Sequence, residues 1–178
     1  MHANRVHNQA SDELLTKEIA QYHQLVSLYK SLIGHKNYPF AAEMLKACLR
    51  SAADLDDVNA QYLLGSQLLD EAKFREQIQN EELFASTANE QQMKLCYEEA
   101  LAYLKTAEKL NHVLAKRLHG LCYINGWGVQ ADKAKGFELV VASIEQENSW
   151  DKVPEIFASI GLNKPEFFSA LTKHRSKA

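Results

Sequence analysis

Two serine–lysine pairs, Ser27–Lys30 and Ser149–Lys152, have the S-x-x-K spacing. On a helical turn that spacing sets an amine beside a hydroxyl, the arrangement with which penicillin-interacting enzymes build an acyl-enzyme. Those enzymes also need S-D-N and K-T-G, and neither tripeptide occurs in the chain. Seven histidines raise metal chemistry, but none sits in H-E-x-x-H. His112 and His119 are seven residues apart with no acid at ligand spacing. His119 lies three residues before Cys122 on a core-facing stripe, which reads as a hydrogen-bonded core histidine. Gly126-Trp127-Gly128 lacks the further glycine and the Lys-Ser/Thr of a phosphate-binding loop. No Ser-His-Asp set can be drawn from residue order alone. These residues therefore call for no catalytic group, cofactor or metal, and the expectation is a non-enzymatic protein.

The elements that must position any site are helical. Only three prolines and seven glycines punctuate 178 residues, and no alternating strand pattern occurs. Residues 1–10 are polar and expected to be flexible, without the apolar run of a signal peptide. Ser11 followed by Asp12 and Glu13 reads as a helix cap. From there Leu15, Ile19, Tyr22, Val26, Tyr29 and Ile33 form one apolar stripe ending at Gly34. A second helix follows Pro39 and stops at 54–57, and a third starts near Val58. Asp132 is expected to cap the helix carrying Phe137, Val140, Val141 and Ile144. Gly161 and Pro165 divide two short helices that close the chain within 151–175.

Net charge is −3, with 20 basic against 23 acidic residues, which gives no footprint for nucleic acid or an anionic membrane. The one basic run, Lys173 to Lys177, reads as a solvated terminus. No apolar run reaches the ~18 residues of a membrane span. Cys48, Cys96 and Cys122 are odd in number, form no CxxC pair and sit among apolar helical positions. Buried free thiols in a reducing compartment, the cytoplasm, are expected.

One spacing recurs. Leu45, Ala52, Asp56 and Ala60 lie at the same offsets (0, 7, 11, 15) as Ala100, Ala107, Asn111 and Ala115. Gly65 then matches Gly120. Small residues at such points let helices approach closely. The best unit runs over 115–148: a helix, the turn Asn125-Gly126-Trp127-Gly128-Val129, and a second helix.

Ala115, Gly120, Tyr123, Asn125, Gly126, Gly128, Val129, Asp132, Lys135 and Ala142 together resemble the Sel-1-like repeat, a relative of the tetratricopeptide repeats. His119, Gly136 and Ser143 stand where that pattern has Leu, Ala and Ala. The resemblance covers about residues 40–148 and implies an all-α, right-handed solenoid of seven to eight helices, one domain over 11–178. It also implies a protein or peptide partner held in the groove, and a bacterial flavour. Repeats of this kind are about 36 residues apart. Ala60 and Ala115 are 55 apart, so the unit at 60–114 carries about 19 extra residues, placed near 73–92. That segment reads as an extension of the third helix, a turn around Ala85 to Asn89 and the start of the next helix, serving as a surface insertion or a partner-binding arm.

The residues the stack does not need are the binding candidates. Trp127 fills the variable position between two glycines, where a large aromatic either stands at a loop tip or packs over the neighbouring unit, and indoles are enriched at interface hot spots. Lys116, Arg117 and Asn125 project from the first helix of the best unit, and Gln61 is the counterpart of Lys116. Three roles follow: a peptide-binding adaptor, a peptide- or wall-directed hydrolase using an S-x-x-K serine, or a self-associating subunit paired through the N-terminal stripe.

Overall fold

Capping chemistry sets the helix boundaries. Asp57, Ser86, His112 and Asp132 each hold extended backbone, and each side chain accepts from the amide three residues on. Those amides are among the four that a helix N-terminus leaves without partners. The computed structural model describes the backbone of residues 2–81 and 85–175 and the side chains of 11–81 and 85–173. Among them eight α-helices follow in order: α1 (His2–Leu32), α2 (Ala41–Asp54), α3 (Val58–Asn80), α4 (Thr87–Lys109), α5 (Val113–Asn125), α6 (Lys133–Glu147), α7 (Val153–Ser159) and α8 (Pro165–Arg175). A 3-10 turn at Trp150–Lys152 joins α6 to α7. There is no strand among the described residues. No described helix is long and apolar enough to cross a membrane.

Helix α1 starts nine residues earlier than the Ser11 cap predicts. Its backbone is helical from His2, where a flexible 1–10 was expected; the side chains of 1–10 lie outside the described residues. No proline or glycine interrupts 1–33, so nothing stops the helix at Ser11. Tyr22, Val26 and Tyr29 of the expected stripe pack on the core, whereas Leu15 and Ile33 stay exposed beyond it.

Three helix-to-helix junctions share one hydrogen-bond pattern. Asp57 N–H donates to Ala52 O, His112 N–H to Ala107 O and Ser149 N–H to Ile144 O, at 3.0–3.1 Å. One residue earlier, Asp56, Asn111 and Asn148 each have left-handed backbone, φ 62°, 65° and 51°. This is the Schellman closure, which satisfies carbonyls at a helix end. Asp and Asn tolerate that conformation better than most residues, so no glycine is needed. The α7 end repeats it with Gly161, φ 74°, and Leu162 N–H on Phe157 O.

Two apolar clusters form the core. One runs from α2 to α5 around Leu49, Leu64, Leu104 and Ala115; the other runs from α5 to α8 around Val140, Ile144 and Phe157. Leu118 and Trp127 pack against both. Where α5 crosses α6 the contact is glycine on glycine: a Cβ on Gly120 would lie 2.6 Å from the Gly136 carbonyl oxygen. Gly136, at a position where the repeat pattern has alanine, is thus what this crossing requires.

The extra residues near 73–92 continue α3 to Asn80 and begin α4 at Thr87, as the expected helix extension and next helix start require. They lengthen both helices of one hairpin: α3 and α4 have 23 residues each, against 13 in α5. A polar ladder replaces apolar packing there. Asn89 Nδ2 donates to Arg75 O (2.8 Å) and to Gln79 Oε1 (3.1 Å), and Arg75 Nη2 pairs with Glu71 (2.8 Å).

Candidate functional site

The lengthened hairpin reaches past the glycine turn that joins α5 to α6 and makes a cleft with it. Gly126 (φ 76°) closes α5, placing Trp127 N–H on Cys122 O, and Gly128 (φ 66°) lets the chain press onto α4. A Cβ on Gly128 would lie 2.6 Å from Tyr97 O. Both glycines hold a positive φ that a side chain would strain, and Val129 packs on the core behind the turn. The cleft, about 300 Å³, is lined by Glu76, Met93, Tyr97, Glu98, Asn125 and Trp127 together with Lys94 and the turn backbone.

Trp127 does not stand free at a loop tip. Its ring lies nearly parallel to that of Tyr97, interplanar angle 5° with centroids 6.1 Å apart, and Lys73 Nζ sits 4.6 Å from its centroid. It is half-buried, with enough of the indole left to line the cleft. Tyr97 donates its hydroxyl to Glu76 Oε2 at 2.8 Å. Burial first, and then that carboxylate, push the phenol's pKa well above its ordinary value, so it remains a donor at any physiological pH.

The other expected contact residues divide. Asn125 is exposed at the cleft, its Nδ2 donating to Leu121 O (2.9 Å). Lys116 is half-buried on α5 and bonds Gln146 rather than reaching out. Arg117 and Gln61 do not project. Arg117 is 9% exposed, paired with Glu147 and donating Nε–H to Ser143 Oγ (3.1 Å). Gln61 is 2% exposed, donating to Ala53 O at 3.3 Å while its own oxygen has no partner. The reason is common to both: α3 and α5 are flanked by helices on two sides, so a position on the first turns faces a neighbour. Ser143, where the repeat pattern has alanine, is the hydroxyl that meets Arg117.

The remaining named positions are structural in place. Ala60, Ala100, Ala107 and Ala115 are completely buried, and Gly65 and Gly120 sit at the α3–α4 and α5–α6 crossings. Tyr123 accepts from Lys135 Nζ at 2.8 Å, and Asp132 accepts from Lys135 N–H at 3.0 Å as the cap of α6. His119 is buried, with Nδ1 on Glu108 and Nε2 without a partner. Burial lowers its pKa and outweighs the carboxylate, so the ring is neutral with Nδ1–H donating. Cys48, Cys96 and Cys122 are buried and unpaired. Burial holds the Cys122 thiol up at about 12, too high to form a nucleophilic thiolate.

Neither S-x-x-K serine gains a catalytic setting. Ser149 is the buried second residue of a Schellman turn, its hydroxyl on Glu147 and Ile144 O, while Ser27 is exposed on α1. No group of three or more His, Cys, Asp or Glu among the described residues could hold a metal ion. A larger groove, about 590 Å³, runs between α6 and α8 over Phe137, Phe167 and Ala170. Its rim alternates Lys133 and Lys173 with Glu138 and Glu166, so no charge sign selects a ligand there.

Sequence reasoning reached Trp127 and Asn125 but not Glu76, Glu98 or Lys73. Those three lie in a Glu- and Gln-rich stretch where only the length of the hairpin tells which face meets the turn. Comparison with family models, with curated proteins and with solved structures found no match.

Proposed function

We propose that the chain is a short right-handed α-solenoid of the Sel-1-like kind, acting as a non-enzymatic adaptor that docks a protein or peptide partner in the cleft beside Trp127. The recurring Schellman junctions and the glycine crossings support the stacked architecture. The observation that carries the function is the cleft itself, an aromatic floor fixed by Tyr97, Trp127 and Gly128 before any partner arrives. A preformed surface loses little conformational entropy on binding. A reducing compartment, the cytoplasm, suits three buried unpaired thiols. Glu98 and Asn125 are exposed at the cleft, so placing positive charge at both leaves the core intact. The double variant Glu98→Arg, Asn125→Arg should keep the wild-type melting curve and lose the proteins captured by wild type from a source lysate. Equal recovery would remove the cleft as the docking site.

A second reading has its own observation. Leu25, Leu28, Tyr38, Phe40 and Met44 remain exposed where α1 meets α2, Phe40 by 72%. A terminal unit of a solenoid needs a polar outer face to stay monomeric. Self-association through this end would make the chain a structural subunit. Sedimentation between about 5 and 500 μM should then show a concentration-dependent mass that Phe40→Glu abolishes; a constant monomer mass rules it out.

A further inference from the structure

We infer that the cleft beside Trp127 receives a cationic side chain, arginine or lysine, presented by the partner. The inference rests on the docking reading above and adds the chemistry of what docks. Charge argues first. Glu76 and Glu98 line the cleft, and neither has an ion-pair partner among the described residues. Lys94 lines the same cleft but pairs with Glu90, outside it, at 2.6 Å, and Lys73 pairs with Asp70 at 3.5 Å, so the lining carries two carboxylates against one lysine. Two carboxylates on one concave surface are left to attract a positive group.

The floor argues second. Flat aromatic faces attract cations through their quadrupoles, and tryptophan does so best. The Lys73 ammonium already lies 4.6 Å from the Trp127 centroid, so an incoming cation would meet the part of the indole that lines the cleft. The Tyr97 hydroxyl holds the Glu76 carboxylate at the edge of the same aromatic floor. An incoming guanidinium or ammonium would thus meet a carboxylate and a ring together, while its methylene stem lies along Met93 and the turn. An acidic side chain would meet two carboxylates against one lysine, and a neutral one would lose hydration without gaining a charge partner.

The probes are capped pentapeptides Gly-Ala-X-Ala-Gly with X as arginine, lysine, citrulline or glutamate. The readout is the indole N–H resonance of Trp127, distinguished from that of Trp150 by the Trp150→Phe variant. Arginine and lysine peptides should shift the Trp127 signal saturably. Citrulline, which keeps the shape and loses the charge, should bind about tenfold more weakly, as a charge-assisted bond implies. Glutamate should leave the signal still, and Glu98→Gln should weaken the arginine peptide by a similar factor. Citrulline matching arginine, or no shift with either cation, overturns the inference. If the cations fail while the Glu98→Arg, Asn125→Arg variant still loses partner capture, the docking reading survives and only its chemistry falls. If both fail, both fall.

Discussion

Replacing Gly120 with valine should lower the melting temperature by about 10 °C. Gly120 lies where α5 crosses α6, and a Cβ there would stand 2.6 Å from Gly136 O and 2.9 Å from Val140 Cγ2. The first neighbour is backbone and cannot rotate away. Valine therefore forces the two helices apart, and Leu121, Ile124, Val140 and Ile144 lose packing with them. Overpacking of this kind costs roughly 1–3 kcal/mol, more where backbone must move. At about 2–4 °C per kcal/mol for a chain of this size, a loss of about 3 kcal/mol gives the stated shift. Gly161→Ala is the control. Gly161, unlike the helical Gly120, has a positive φ, 74°, and nothing lies within 4 Å of its Cβ position. It should cost only the ~1–2 kcal/mol of left-handed strain. Scanning calorimetry of both variants decides the matter: equal shifts would mean that the glycine crossing does not hold the α5–α6 pair.

That crossing was only half legible in the chain. The spacing of Ala115, Gly120 and Gly126 marks a helix, a close approach and a stop, and periodicity yields the helical class and the boundaries near Val58, Asp132 and Gly161. Small residues and left-handed caps are local signals, so a local reading finds them. Arg117 and Gln61 were misjudged for the opposite reason. Polarity suggests solvent, but the burial of a first-turn position depends on which helix lies across from it, which is tertiary information. Arg117 is admitted to the interior by Glu147 and Ser143, thirty and twenty-six residues away. At 73–92 the helix extension and the next helix start are legible, but not their packing, because the contacts are Asn, Gln and Arg side chains bridging two helix tails. Polar ladders leave no apolar period. The cleft depends on that ladder, since the lengthened hairpin brings Glu76 and Glu98 alongside the turn.

Leu104→Ala and Gly65→Ala should each destabilise the fold, and together they should cost less than their sum. Leu104 is completely buried on α4, and it fills the hollow that Gly65 leaves on α3: a Cβ on Gly65 would lie 2.8 Å from Leu104 Cγ. Truncating Leu104 removes apolar contact and opens a cavity, at about 2–5 kcal/mol. Adding a methyl at Gly65 gains helix propensity, near 1 kcal/mol, but drives it into Leu104 and to 3.2 Å from Ala100 O. In the double variant the new methyl enters space the leucine has vacated, so the clash disappears and part of the cavity is filled. Coupling of about 1–2 kcal/mol in favour of the double variant follows, within the range seen for touching residues. Urea unfolding of the four proteins measures it, provided the slope with denaturant stays constant. Additive costs would mean that α3 and α4 do not interlock at Gly65. The lengthened hairpin would then lack the rigid seat from which its far end, with Glu76 and Tyr97, is held against the Trp127 turn.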